Sequence, residues 1–287
     1  QEKFLKVSIE NTYTLYLLWL SLFVEIQKRA ADQISLSANK YISDKKQEFP
    51  NPNKFIQNRL LLQMVDNTML AEEINHRKLD HWYLNEEYVK LIYKEIIESE
   101  AYQEYMSKPE SDYASDKELV LTLFKTIFAP NEKIYDYFED DKLTWVDDIP
   151  IVNTFVLKHL KKAKQVYPES YFLPSLMKDD DDMQYALQLL SRTLLKNEAL
   201  EKEIEGKTPN WDKDRIAEID SILLKMAICE LLHFPSIPER VTINEYLEIA
   251  KEYSTPKSSI FINGILDKLT KEYKAEGKLN KIGRGLL

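Results

Sequence analysis

Five glycines serve all 287 residues of this chain, and that scarcity constrains the fold more than any other feature. Tight hairpin turns need residues at φ > 0, which glycine supplies at least cost. With so few of them, set against 11 prolines, the chain has little means of joining many short strands, so an all-α class is expected. Periodicity agrees: over residues 4–31 apolar side chains recur at three- and four-residue steps, the spacing of one long helix. Helical patterning then continues almost to the C-terminus. It breaks at Phe49-Pro50-Asn51-Pro52, at Ser107-Lys108-Pro109, over residues 167–182 and over residues 234–238, because proline removes a helical donor and restricts its predecessor. The expected architecture is stacked helical bundles, with an N-terminal helical region over residues 1–182 and a second helical domain over residues 183–287.

The charge balance narrows function. Lys plus Arg number 39 and Asp plus Glu 48, a net charge of −9, which argues against a protein held on nucleic acid by bulk charge; any such contact must be local. Residues 251–287 are the basic exception, with eight Lys or Arg against four Asp or Glu. Within them, residues 276–287 read as a solvated tail. A single cysteine, Cys229, forms no internal disulfide and suits a reducing compartment, so a cytoplasmic location is expected. The most apolar run, residues 15–24, is half of what a bilayer span of roughly 20 residues requires. It reads as a core helix, with no membrane contact. The chain opens at Gln1 without an initiator Met, which implies that residues precede it in the native protein.

Constellations that would carry catalysis or metal binding are missing from the pattern. His76 and His81 are five apart and do not share a helical face, while His159 and His233 lack a Cys or His at ligand spacing. The run Asp179-Asp180-Asp181-Asp182 reads as the anionic start of a helix, where the macrodipole favours negative charge, in preference to a cation site. With no Gly-rich phosphate loop, nucleophile elbow or Cys-x-x-Cys, the chain is read as a non-enzyme without cofactor. Two segments, Leu123-Phe124-Lys125-Thr126-Ile127-Phe128 and Leu190-Ser191-Arg192-Thr193-Leu194-Leu195, each precede a tryptophan, Trp145 or Trp211. Trp82 is a third, and Asn85, Asp147 and Asp212 follow the three as possible helix-start acceptors. A duplicated helix-turn-helix unit and chance similarity of amphipathic helices both fit.

The C-terminal hundred residues carry the sharpest signals. Ile216, Ile219, Leu223, Met226 and Cys229 form one apolar stripe of a central, mostly buried helix. Thr242-Ile243-Asn244-Glu245 has the form of a capping box, with Thr242 capping a helix over residues 243–253. Ser258 is placed to cap a last helix containing Phe261-Ile262-Asn263-Gly264-Ile265-Leu266-Asp267. Gly264 costs that helix stability, so a closely crossing helix is expected over it.

This order of residues, from the helix ending near Leu232 through Ile237-Pro238, Ile243-Asn244-Glu245, Glu248-Ile249-Ala250-Lys251 and the Phe261 to Asp267 block, resembles the C-terminal half of the NusB transcription antitermination factors. The resemblance covers roughly residues 183–271. It implies an all-helical fold of two three-helix bundles, binding to boxA-type RNA together with ribosomal protein NusE within the transcription elongation complex, and homodimers that can hide the RNA surface. The upstream residues resemble a longer version of the family with inserted helices. Residues 1–5 are similar to that family's second helix, and the arginine-rich segment that precedes it in relatives does not appear. Weaker RNA affinity follows as an expectation.

Carried over by position, Lys257, Ser258 and Phe261 fall on the RNA-contacting loop and helix start, and Lys225 on the neighbouring central helix. Relatives often carry an acidic residue where Lys257 stands. Capping is the structural alternative for Ser258, and core packing for Phe261. Asp220 and Glu230 fall near the NusE-facing surface, where acidic groups suit a basic partner; a buried Glu230 bonded within the fold is the alternative. A helical scaffold, or a domain related to those of ribosomal RNA methyltransferases, is the other reading. The methyltransferase case needs a Gly-rich cofactor loop after a strand, and none is present.

Overall fold

A computed structural model describes residues 1–40, 51, 53–177, 179–207 and 216–283. The described residues form helices and no strands, in keeping with the scarcity of glycine. They divide into two compact units, Val7–Leu176 and Met177–Leu287 with Gln1–Lys6.

The larger unit is organised on α1 (Glu2–Lys40). Leu15, Leu17, Leu18, Leu20 and Leu22 are all fully buried, so this helix is apolar on every side and runs through a core instead of over one. Around it lie α2 (Asn53–Ile56), α3 (Arg59–Val65), α4 (Thr68–His76), α5 (His81–Leu84), α6 (Glu86–Glu98), α7 (Glu100–Ser107), α8 (Tyr113–Leu123), α9 (Glu132–Asp141) and α10 (Trp145–Lys162). Helix α8 runs on as a π-helical turn over Phe124–Phe128, closed by the Ala129 N–H donating to the Phe124 carbonyl at 2.9 Å. That turn brings Phe124 and Phe128 against Trp19 and Phe23, the Phe23 and Phe128 rings stacking at 4.5 Å. Trp82 donates to the Leu18 carbonyl and Trp145 to that of Asn11, both at 2.9 Å, so the polar edge of each ring is satisfied inside the core.

The duplicated-unit reading loses its structural basis. Residues 123–128 are a buried π-helical turn, whereas residues 190–195 are the plain end of a helix with Leu195 exposed. Asn85 makes no cap and donates to the His81 carbonyl instead, and Asp147 lies inside α10, after its N-cap. Trp211 and Asp212 lie outside the described residues.

The second unit contains α11 (Asp180–Leu195), α12 (Asn197–Ile204), α13 (Glu218–His233), α14 (Glu239–Tyr253) and α15 (Ser258–Ala275). Asp179 caps α11 by accepting from the Asp181 N–H, so the aspartate run opens a helix. Among the described residues no group of three or more His, Cys, Asp or Glu is placed to hold a metal ion. The core packs Leu224, Ala227, Ile228 and Leu231 of α13 against Tyr246 and Ala250 of α14 and Ile262, Leu266 and Leu269 of α15.

Four details differ from expectation. The buried face of α13 is broader than the expected stripe: Leu223 and Cys229 are buried, but Ile219 is exposed and Ile216 precedes the helix, while Asp220, Leu224 and Glu230 also face inward. Helix α14 starts a turn early, directly after Pro238, which takes the N-cap position in an extended conformation and whose neighbour Glu239 suits the positive end of the macrodipole. Thr242 is therefore no cap. It is fully buried inside the helix, its hydroxyl reaching back to the Pro238 carbonyl at 3.5 Å. No helix crosses Gly264, since a Cβ built there would meet nothing within 4 Å. The C-terminal segment is held down: after Gly277 turns the chain at φ +66°, Lys281 donates to the Phe234 carbonyl and the Ile282 N–H to that of Pro235.

Candidate functional site

The loop between α14 and α15 is tied from below by one buried carboxylate. Asp220, at 5% exposure, accepts from Ser254 Oγ at 2.6 Å and from Ser258 Oγ at 2.8 Å. With both serine protons committed to the carboxylate, Thr255 donates to Ser258 at 2.8 Å. Three hydroxyls and one carboxylate thereby close a small network, each group satisfied by another. Asp220 reaches it because α13 turns this position inward, and the serines reach it because the chain leaves α14 at Ser254 and enters α15 at Ser258. Ser258 is thus not a helix cap; its hydroxyl belongs to the Asp220 network, and Lys257 occupies the N-cap position without a side-chain cap.

What this knot fixes is the surface above it. Lys257 is exposed, Ile260 on the next turn is 75% exposed, and Phe261 is half-buried with one side against the core. Between residues 251 and 281, Lys257 alone among the described cations makes no ion pair or hydrogen bond through its side chain. Lys251 pairs with Glu248, Lys271 with Asp267, Lys274 with Glu239 and Lys278 with Glu276. Lys268 and Lys281 donate to backbone carbonyls. Four of these lysines are thus paired with carboxylates, two of them, Glu239 and Glu248, from α14, and Lys257 is left as the described cation of this segment with no partner of its own.

The other expected residues sit elsewhere. Lys225 is half-buried and ties α13 to α12 through Asn197 Oδ1 at 2.9 Å and Glu201 at 3.5 Å, so it offers no free ammonium. Glu230, at 3% exposure, accepts from the Tyr185 and Tyr246 hydroxyls. Burial, reinforced by this carboxylate, holds both phenols well above the ordinary tyrosine value. Asp220 and Glu230 therefore present no carboxylate to a partner; each is an internal tie. Burial also raises the Cys229 thiol, leaving it without thiolate character. Sequence reasoning missed the Asp220 network, whose three hydroxyls lie more than thirty residues beyond the carboxylate.

The described residues of this unit are thus an all-α bundle in which buried hydroxyls and a carboxylate fix one loop that carries an unpaired cation and an exposed apolar side chain. The NusB family profile matches residues 158–271. The transcription antitermination protein NusB of Salinibacter ruber is 43% identical over 112 residues, which is 39% of this chain and 70% of that protein. That of Chloroherpeton thalassium is 39% identical over 127 residues, 44% of this chain and 58% of the relative. That of Geotalea daltonii is 41% identical over 96 residues, 33% and 66% of the two chains. No solved structure gives a significant match. The chain belongs to the NusB family.

Proposed function

We propose that this protein is a transcription antitermination factor that binds a boxA-type RNA together with ribosomal protein NusE in the elongation complex, and that the α14–α15 loop is its RNA edge. The likeness of residues 158–271 to proteins named for transcription antitermination carries the reading. In it, Lys257 meets a phosphate, and Phe261 with Ile260 gives an unstacked base an apolar surface. Asp220, Ser254 and Ser258 act as positioning residues that hold the loop. Lys225, Asp220 and Glu230 contribute through the fold and not by contact.

The test is a fluorescence titration of a boxA-type RNA and a scrambled control, with and without NusE. Tighter binding of the boxA sequence when NusE is present is expected, and Lys257→Glu should weaken it several-fold. Absence of NusE binding at tens of micromolar protein, with equal affinity for both RNAs, overturns the reading. A helical scaffold without RNA contact is the second reading, favoured by the internal pairing of the C-terminal lysines; it predicts no salt-sensitive RNA signal at all.

A further inference from the structure

The largest uncompensated positive charge among the described residues lies in the other unit. Residues 149–168 contain no Asp or Glu, in a chain where acids are about one residue in six, and carry Lys158, Lys161, Lys162 and Lys164. All four are exposed, and among the described residues no carboxylate lies within ion-pair distance of any of them. Lys158, Lys161 and Lys162 stand at i, i+3 and i+4 on α10, where like charges repel one another.

The ordinary explanation is that cations gather at a helix C-terminus to complement its free carbonyls. Here other groups already serve those carbonyls. Lys117 Nζ donates to the Lys161 and Ala163 carbonyls at 3.2 and 3.0 Å, the Tyr167 hydroxyl to that of Lys162, and Gln63 Nε2 to those of Lys164 and Gln165. The four ammonium groups are left over from the fold.

Aromatic rings are interleaved with them. Phe155 stacks on His159 at 5.6 Å, His159 on Tyr171 at 4.2 Å and Tyr171 on Tyr167 at 3.8 Å, with interplanar angles of 16–18°. Phe155 at the head of this column is 41% exposed, and one turn of α10 separates Phe155 from Lys158 and His159, and Lys158 from Lys162. Burial holds the His159 ring below its ordinary pKa and so favours its neutral form. The inner rings cover one another, so a base can be received only at the ends of the column, on Phe155 or Tyr167. Cations that track a backbone beside ring faces that can take a base are the composition of a sequence-tolerant single-strand binding surface.

We propose that residues 155–171 form a second contact surface for single-stranded RNA, in addition to the α14–α15 loop. The ring-and-ammonium pattern of this unit carries the inference, and it does not depend on the role given to Lys257.

The test uses the full chain and a labelled 12-nucleotide oligouridine, titrated by anisotropy over a range of salt. Replacing Lys158, Lys161, Lys162 and Lys164 together by Gln should weaken binding at least about tenfold and flatten the salt dependence, by about 0.7 in the log–log slope for each phosphate that is no longer neutralised. Phe155→Leu, which keeps the apolar packing, should weaken binding several-fold with the salt slope unchanged. Lys125→Gln with Lys133→Gln, which removes two exposed lysines of the same unit outside this surface, should leave oligouridine binding intact. The inference is overturned if the fourfold lysine variant binds like the parent, if the Lys125 and Lys133 pair weakens binding as much as the fourfold variant does, or if the parent ignores oligouridine while binding a boxA-type RNA. Binding of phosphatidylserine vesicles without oligouridine binding equally overturns it and assigns the surface to a membrane.

Discussion

At the scale of single residues, the groups with most consequence are buried polar ones whose partners lie far off in sequence. Asp220→Ala would remove the acceptor of the Ser254 and Ser258 hydroxyls, which could then bond only to each other, 2.9 Å apart, and to Thr255, with one donor left unpaired. A loss of about 1–3 kcal/mol in all is expected, read from the denaturant midpoint, with looser RNA binding through Lys257. A cost near zero would show that the network does not form. Two histidines give the molecule a pH response of definite sign. Burial depresses His159 and His233 below the ordinary imidazole value of about 6.5, so in acid the unfolded chain takes up protons that the native one refuses. Their contribution to stability is whole above that value and is lost as pH falls through it toward the lower native values. Thermal melts between about pH 7.5 and 5.5 should show a falling Tm. His159→Gln should lower the whole curve and flatten it, because a side chain that does not titrate contributes no slope.

At the scale of elements, helix ends were the hardest part to read in the sequence. Thr242 and Glu245 have the spacing of a capping box, but Pro238 starts α14 first, and a residue already inside the helix has no free N–H to cap. Thr242→Val should therefore cost well under the ~1 kcal/mol that removal of a true cap costs, as measured by chemical denaturation. Gly264 gives the opposite sign. It lies on the open face of α15 with an ordinary φ and nothing for a Cβ to strike, so Gly264→Ala should stabilise α15 by about 0.5–1 kcal/mol. If the same substitution weakens partner or RNA binding, its small side chain serves a contact. Breaks between helices were easier, since proline acts locally: α7 ends at Ser107, and the prolines after His233 separate α13 from α14.

At the scale of the whole molecule, the described residues form two hydrophobic cores, one around α1 and one around α13. Leu224→Ala removes a fully buried side chain from the second and should cost about 2–5 kcal/mol. In hydrogen exchange, α14 and α15 should lose protection while the amides of residues 15–26 in α1 keep theirs; uniform loss would mean that the units unfold as one. Fold class and the long first helix were legible in advance because they depend on glycine scarcity and apolar period, which act within a few residues of themselves. The family was legible through a dense motif block. Which charges stand free was not, because neutralisation depends on pairs such as Lys274 with Glu239 and Lys225 with Glu201, separated in sequence and joined only by packing. The amino-acid order alone thus determined that this chain is helical, that it breaks at the prolines after Ser107 and after His233, and which relatives it resembles. Tertiary structure decided that Asp220, Glu230 and Lys225 turn inward and that Lys257 and the α10 lysines keep their charge unpaired, since burial and pairing are properties of neighbours in space.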